Sequence, residues 1–229
     1  FAYNPRPPFD TVALLAKLDG ETDCRRAMVW EKEGAVVVGT RCTGARPKGW
    51  PGGALYRITG MPFYFDAVQE WPRGFGESEK LCVPVAGEGI AALVIDRARG
   101  RIYGLSDKTA VLFSYDLESK KVKKYGSMDP LWHFSENLLL APSGQVLTTA
   151  AGNRLVRFDP NTDRITLLED TVPTFPGRSL YARIDSYVWE PRSRRFFIGD
   201  KADGLLYTLD PETLETRLLA GKSGYDLVV

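Results

Sequence analysis

Residues 153–168 read NRLVRFDPNTDRITLL, and this stretch decides the fold. One short β-prone run ends at Phe158 and a second apolar run begins at Ile165. The residues between them include Asp-Pro-Asn-Thr, in which the proline presets φ and the polar residues favour a turn. The stretch therefore predicts two antiparallel strands joined by a tight turn.

Variants of this hairpin recur along the chain, at 112–125 and at 206–219. Each is preceded by two further apolar runs separated by a turn, which predicts units of four strands. The turn positions recur every 43 to 57 residues, at Asn4, Thr59, Asp116, Asp159 and Asp210. The units are predicted at 25–68 (with its fourth strand at 63–68), 90–125, 138–168 and 187–219.

Four-stranded units at this period are typical of propeller blades. Between them, no stretch long enough for a helix shows apolar residues at the helical period of 3.6 residues. A β-sandwich also has many short strands, but it does not account for the internal repetition. We therefore predict an all-β chain, a β-propeller of four-stranded antiparallel blades, with four complete blades plus a partial blade at the termini.

The partial blade is predicted from both ends of the chain. Residues 1–18 resemble the third and fourth strands of a blade, and residues 225–229 resemble a first strand. A propeller buries the faces of its blades only against neighbouring blades, so an open stack leaves apolar faces in water. We expect 1–229 to be a single propeller domain, either a five-bladed ring or a piece of a six- to eight-bladed protein. We favour the piece, because the chain starts within a strand and without an initiator Met.

Composition excludes several functional classes. The 30 basic and 29 acidic residues argue against a surface dedicated to nucleic acid, and no apolar run is long enough to span a membrane. The three cysteines, Cys24, Cys42 and Cys82, are too few for a disulfide framework, although a single bridge between Cys24 and Cys42 stays open. No metal-ligand spacing, nucleotide-binding loop or nucleophile elbow is found, so the cofactor and the compartment stay unknown.

The strand pattern resembles a group of bacterial propellers. Apolar strands, an Arg/Gly turn, the run Ile102-Tyr103-Gly104 and the run Leu112-Phe113-Ser114-Tyr115-Asp116 are similar to those of the streptogramin-lyase-like, YVTN-type and ulvan-lyase-like proteins. The resemblance implies a propeller fold. Its motifs are those of hairpins and carry no catalytic information.

Blade geometry predicts where a site lies. We call the segment before the first strand of a blade its lead-in loop, and the segment between the second and third strands its second loop. These two kinds of loop are expected to build one face around the central channel. Candidate ligand-binding residues on this channel face are Arg25, Arg41, Trp50, Glu88, Glu136, Arg183, Asp185 and Asp200. Candidate catalytic residues are His133, Tyr181 and Arg178.

Two functions fit these candidates. The first is a binding or scaffolding propeller whose channel face holds a small molecule, glycan or protein partner. The second is a polysaccharide lyase, in which Tyr181 and His133 transfer protons while arginines, Arg178 or Arg183, neutralise a uronate carboxylate. The single histidine is fewer than the resemblance to ulvan lyases implies, so we favour binding and leave catalysis undecided.

Two structural expectations complete the sequence analysis. Period-two patterning predicts burial between blades for Val29, Val36, Val38, Leu93, Ile95, Ile102, Leu139, Val146, Val188, Phe196 and Ile198. A Gly/Pro-rich insertion spans 41–53, and its part at 46–53, which contains Trp50, is expected to protrude as a mobile loop.

Overall fold

The computed structural model describes residues 2–4, 11–13, 18, 23–30, 34–59, 76–129, 135–178 and 183–221. In this part of the chain the secondary structure is β, apart from one 3-10 turn at Ala151–Asn153. The strands are β1 (Ala2–Asn4), β2 (Thr11–Ala13), β3 (Asp23–Trp30), β4 (Ala35–Arg41), β5 (Leu55–Thr59), β6 (Glu77–Cys82), β7 (Ile90–Asp96), β8 (Arg101–Ser106), β9 (Val111–Asp116), β10 (Val122–Ser127), β11 (Leu139–Leu140), β12 (Val146–Thr149), β13 (Arg154–Asp159), β14 (Arg164–Thr171), β15 (Ser186–Glu190), β16 (Arg195–Asp200), β17 (Leu205–Leu209) and β18 (Thr216–Ala220).

Strands β3 to β18 form four four-stranded sheets, each made of four consecutive strands. We call them blade 1 (β3–β6), blade 2 (β7–β10), blade 3 (β11–β14) and blade 4 (β15–β18). Neighbouring strands are antiparallel, as in the pairing of β12 with β13 and of β13 with β14. The predicted fold class, an all-β propeller of four-stranded blades, is confirmed.

The recurring aspartates close the hairpins between third and fourth strands. One Oδ atom of Asp116, Asp159 and Asp210 accepts a hydrogen bond of 2.8–2.9 Å from a backbone N–H two or three residues later. A short acidic side chain bonds its own turn in this way when the backbone reverses direction. The repeat in the sequence is thus a repeat of turn chemistry.

The fourth strand of blade 1 differs from the prediction. It is β6, which pairs with β5, and not the stretch 63–68, which lies outside the described residues. The first four residues of β6 are exposed, because the outermost strand of a blade needs little apolar content. Strand propensity favoured the aromatic run at 63–65, whereas pairing with β5 determines the position of the real strand.

The chain divides into two units, Phe1–Ile90 and Ala91–Val229. In the first unit β1 and β2 form an antiparallel pair, which confirms the predicted opening hairpin. Blade 1 of the same unit has a core on one face that includes Leu18, Val36, Val38, Tyr56 and Ile58. The predicted closing strand at 225–229 lies outside the described residues.

The second unit contains two cores that share blade 3. Val156 and Phe158 of β13 pack with side chains of blade 2, including Tyr103. Leu155 of the same strand packs with side chains of blade 4, including Tyr207. Neighbouring residues of one strand therefore belong to different cores, as the alternation of side chains in a strand requires.

Nine of the eleven residues predicted to be buried have at most 9% of their surface exposed. The prediction is wrong for Val29 and Val188, which are 55% and 62% exposed. On β15 the core face carries Tyr187 and Trp189, so Val188 between them points the other way. On blade 1, Val29 lies opposite Val36 in the strand pairing, but the core that packs on Val36 does not include Val29.

The insertion contains no strand between 46 and 53, in agreement with the expected loop. Its middle is exposed, and a backbone hydrogen bond of 3.0 Å from Trp50 N–H to Pro47 O turns the chain there. Its end is buried at Gly52 and Gly53. A Cβ on Gly53 would overlap the carbonyl oxygen of Thr40, so this close approach requires glycine. The mobility of the loop stays a prediction.

Candidate functional site

Blade 4 brings three of the predicted residues into one neighbourhood. Asp185 directly precedes β15, and Asp200 is the last residue of β16. The backbone N–H of Asp185 donates to the carbonyl oxygen of Gly199 at 3.2 Å, so the two aspartates lie at the same edge of the sheet. Arg178, from the lead-in loop of this blade, reaches the second loop at Asp203.

Asp203 is the centre of the contacts with Arg178. This aspartate is 4% exposed, and its Oδ2 accepts a hydrogen bond of 2.8 Å from the Thr174 hydroxyl. Its Oδ1 accepts from Nε of Arg178, whose Nη2 also donates to the Ala202 carbonyl oxygen at 3.0 Å. The guanidinium of Arg178 is therefore held by the second loop.

Asp200 is buried without full pairing. The residue is 2% exposed, and its Oδ1 accepts a hydrogen bond of 2.8 Å from the backbone N–H of Ala202. Its Oδ2 has no hydrogen-bond partner among the described residues. Burial raises the pKa of this carboxyl group to about 6, and the negative charges of Asp203 and Asp185 add to the rise.

Tyr207 presents a second unpaired polar atom in the same blade. Its ring belongs to the core between blades 3 and 4, and the residue is fully buried. Its hydroxyl lacks a hydrogen-bond partner in the described part of the chain. The pKa of Tyr207 is raised, chiefly by burial and further by the charges of Asp200 and Asp185.

Asp200 stands out when the blades are compared by register. Counted from the first residue of the second strand, it occupies the place of Ser106 in blade 2. Thr40 holds this place in blade 1, and both hydroxyls accept a backbone N–H, from Ala54 at 2.9 Å and from Val111 at 3.0 Å. Only blade 4 has an ionisable group there.

The lead-in loop of blade 3 supports the backbone of this site. Asn137, which is buried, donates from Nδ2 to the carbonyl oxygens of Ile184 and Asp185, at 2.6 and 2.9 Å. The hydroxyl of Ser135 also donates to Ile184 O. These bonds fix the position of Asp185. Glu136 lies between the two supporting residues and is half-buried, while Arg183 immediately precedes Ile184.

Two of the three candidate catalytic residues, His133 and Tyr181, lie outside the described residues. Asp203 and Tyr207 belong to the site but were missed by the sequence analysis. Asp203 sits in a Lys-Ala-Asp-Gly turn that looks like ordinary turn chemistry. Tyr207 looks like a core residue of its strand, and its unpaired hydroxyl is visible only in the structure.

Four other candidates belong to the first unit. Nε of Arg41 lies 2.8 Å from Oδ2 of Asp23, so this arginine is part of an ion pair at the end of β4. The guanidinium carbon of Arg46 lies 5.1 Å from the Trp50 ring centroid, in a cation–π contact. The carbonyl oxygen of Glu88 accepts the N–H of Gly53 at 2.8 Å.

The fourth of these candidates, Arg25, lies in β3, within the same unit. Arg41 and Trp50 belong to the insertion at 41–53, and Glu88 bonds it at Gly53, whereas Arg178, Asp185 and Asp200 belong to the site of the second unit.

The three cysteines have free thiols, so the bridge that the sequence left open between Cys24 and Cys42 is absent. Burial raises the pKa of Cys82 to about 12. Within the described ranges no group of three or more His, Cys, Asp or Glu side chains is arranged to hold a metal ion. In the same ranges no helix is long and apolar enough to cross a membrane.

No protein-family model and no curated protein matches the chain, but solved structures do. An auxiliary nutrient binding protein from Bacteroides thetaiotaomicron is similar with a TM-score of 0.57 and 17% identity, over 91% of this chain and 50% of that one. The Cps50 (Swd1) β-propeller domain from Myceliophteria thermophila has a TM-score of 0.56 and 14% identity, over 89% of this chain and 57% of that one.

A chain of a nidogen/laminin complex is also similar, with a TM-score of 0.52 and 13% identity, over 83% of this chain and 63% of that one. At such identities the likeness shows the β-propeller fold alone. It does not single out the streptogramin-lyase-like, YVTN-type or ulvan-lyase-like groups. The chain spans only 50% to 63% of the length of these three solved chains.

Proposed function

We propose that the protein is a binding propeller that takes a hydroxyl-rich ligand, a glycan or a small polyol, at the channel face of blade 4. The observation that carries the proposal is the buried pair of Asp200 Oδ2 and Tyr207 hydroxyl, each without a hydrogen-bond partner in the described part of the chain. Buried polar atoms in proteins are nearly always paired, so these two unpaired atoms of blade 4 call for an explanation.

The chemistry of the pair favours hydroxyl groups. An ionised carboxylate only accepts hydrogen bonds, while a tyrosine hydroxyl both donates and accepts. An ammonium ligand supplies donors for Asp200 but no acceptor for the Tyr207 proton. A vicinal pair of sugar hydroxyls offers donors to the carboxylate and an acceptor to the phenol at once. The ligand class of the proposal therefore follows from the donor and acceptor inventory of the site.

The lyase alternative has less support. Its arginine, Arg178, is held by Asp203 and by the carbonyl oxygen of Ala202. The carboxyl groups of Asp185, Asp200 and Asp203 make the surroundings acidic, and this disfavours a uronate carboxylate. The similar nutrient binding protein and the similar chain of the nidogen/laminin complex fit a binding role for propellers of this shape.

Binding is tested by calorimetry or ligand-observed NMR with a panel of neutral mono- and disaccharides, and with glucuronate for comparison. We expect a neutral sugar to bind, and Asp200→Asn to weaken it by at least about tenfold, as the loss of a charge-assisted hydrogen bond predicts. The matched control is Asp107→Asn, which removes the same charge from the second loop of blade 2.

Two results contradict the proposal. One is that no neutral sugar in the panel binds, and the other is that Asp200→Asn and Asp107→Asn bind the sugar equally well. A separate assay follows the absorbance of an unsaturated product on uronate-containing glycans. Turnover there that is abolished in Tyr181→Phe supports the lyase instead.

A further inference from the structure

Thr149 is a third buried residue of the second unit whose side chain has an unpaired polar atom. The residue is fully buried, and its hydroxyl has no hydrogen-bond partner among the described residues. It ends the second strand of blade 3, as Asp200 ends the second strand of blade 4. The backbone N–H of Ser135, in the lead-in loop of blade 3, donates to the Thr149 carbonyl oxygen at 3.1 Å. Thr149 therefore lies at the edge of blade 3 that belongs to the channel face.

The side chain of Thr149 is on the face of blade 3 that is turned toward blade 4. In the strand pairing Thr149 lies opposite Leu155, and directly opposed residues of two antiparallel strands share a face. Leu155 packs in the core between blades 3 and 4. On blade 4, Asp200 lies opposite Leu205, which belongs to the same core, as does Tyr207. The three unpaired groups thus lie on the two faces that meet in this core.

Asp200 and Tyr207 are diagonal neighbours on their face of blade 4. Tyr207 lies two residues beyond Leu205, the residue that pairs with Asp200. Diagonal neighbours in an antiparallel pair are about 7–8 Å apart, a distance that an aromatic side chain spans. The phenol and the carboxyl group are therefore placed to bond one ligand.

The interface between blades 2 and 3 shows how these places meet across two blades. Leu105 in blade 2 and Thr149 in blade 3 each pair with the residue four positions before the turn aspartate, so they hold the same place. The same count matches Asp200 to Ala150 and Tyr207 to Val156. Leu105, Ala150 and Val156 belong to one core. Three places that are apolar between blades 2 and 3 are thus all polar between blades 3 and 4.

The three groups together restrict the shape of a ligand. A threonine hydroxyl and a phenol both donate and accept hydrogen bonds, whereas an ionised carboxylate only accepts them. Thr149, Asp200 and Tyr207 are each at most 2% exposed, so only a slim end of a molecule can lie among them. The terminal diol of an acyclic polyol, CHOH–CH₂OH, has two donors and two acceptors in so small a volume. A pyranose ring is wider and carries its hydroxyls around its rim.

We propose that Thr149 is the third ligand-contacting residue of the site, and that the site takes the terminal diol of an acyclic polyol between blades 3 and 4. The proposal rests on the proposed function, because it shares Asp200 and Tyr207 with it. One hydroxyl of the diol donates to Oδ2 of Asp200, and the two hydroxyls exchange hydrogen bonds with Thr149 and Tyr207. Without such a partner, each of these buried groups lacks the hydrogen bonds that water gives it in the unfolded chain.

The test is calorimetry with xylitol as the probe and methyl β-xylopyranoside as its cyclic counterpart. We expect xylitol to bind at least about tenfold more tightly than the cyclic compound, and Thr149→Val to weaken xylitol about three- to tenfold, as the loss of one neutral hydrogen bond predicts. The matched control is Thr208→Val. The hydroxyl of Thr208 is also buried and unpaired among the described residues, but Thr208 directly follows Tyr207 and points to the other face of blade 4. This variant should bind xylitol as the native protein does.

A second measurement needs no ligand. The midpoint of urea unfolding in Thr149→Val should be no lower than in the native protein, because valine has nearly the same shape and the hydroxyl that it removes has no partner to lose. A clear fall of the midpoint overturns the inference, since the hydroxyl is then already bonded in the folded protein.

The binding results separate this inference from the proposed function. If a neutral sugar binds and Asp200→Asn weakens it, but Thr149→Val binds xylitol as the native protein does, the role of Thr149 is refuted and the proposed function stands. Equal affinities for xylitol and methyl β-xylopyranoside refute the preference for a terminal diol, as does a failure of xylitol to bind. Equal losses of affinity in Thr149→Val and Thr208→Val also overturn the inference. If xylitol and the neutral sugars all fail to bind, both proposals fall.

Discussion

Replacing Asp200 by asparagine should change how the stability of the protein depends on pH. Asparagine has nearly the same shape, and its Oδ1 still accepts the hydrogen bond from Ala202 N–H. What the substitution removes is a buried carboxylate whose pKa rises from 3.8 to about 6 in the folded protein. A raised pKa means that the folded state holds the proton of Asp200 more tightly than the unfolded state does.

The sign and size of the effect follow from that difference. Between 3.8 and about 6 the folded state binds more protons than the unfolded one, so stability is lost as the pH rises through this window. The rise of roughly two pKa units corresponds to about 3 kcal/mol, because each unit is worth about 1.4 kcal/mol. Above this window the loss is complete and stays constant.

The measurement is urea unfolding of the native protein and of Asp200→Asn, near pH 4 and at neutral pH. Relative to the native protein, the variant should gain about 2–3 kcal/mol between the two conditions, slightly less than the full value because pH 4 lies just inside the window. The unpaired amide N–H groups of asparagine cost the same at both pH values and cancel in this comparison. If the difference between the two proteins is the same at both pH values, the carboxylate of Asp200 is properly solvated or paired. The reasoning about the site then fails.

Three further outcomes are expected. Leu155→Ala should lower the free energy of unfolding, measured by urea titration, by about 2–5 kcal/mol because it leaves a cavity in a core. In the same assay Leu167→Ala, at a residue that is 49% exposed, should change the free energy of unfolding by less than about 1 kcal/mol. Asn137→Ala should lower the free energy of unfolding by about 1–3 kcal/mol in the same assay, because it removes two hydrogen bonds to the lead-in loop of blade 4. A thiol reagent at neutral pH should label exposed Cys24 quickly and Cys82 only after unfolding, because the pKa of Cys82 is raised to about 12; equal rates contradict this.

The strands that sequence analysis located correctly are those defined by local chemistry. Asp116, Asp159 and Asp210 each bond their own turn, so the hairpins are visible without knowledge of the rest of the chain. The fourth strand of blade 1 was missed because an outer strand is defined by its pairing partner. Val188 was misassigned because alternation gives two faces but does not say which one is covered.

The candidate site was predicted in part. Asp185 and Asp200 were found because loops that meet at one face of a propeller can be located from the repeat. Asp203 was missed because the sequence gives no sign that a turn aspartate will hold Arg178.

The two cores that share β13 restrict how this chain can change its length. Insertion of a single residue between Arg154 and Leu155 would move Val156 from the core with blade 2 to the core with blade 4, and Leu155 in the opposite direction. Both cores would then be filled with the wrong side chains. Lengthening is therefore confined to the connections between strands, as at residues 46–53. Blades of unequal length arise from their loops, while the strands keep their phase.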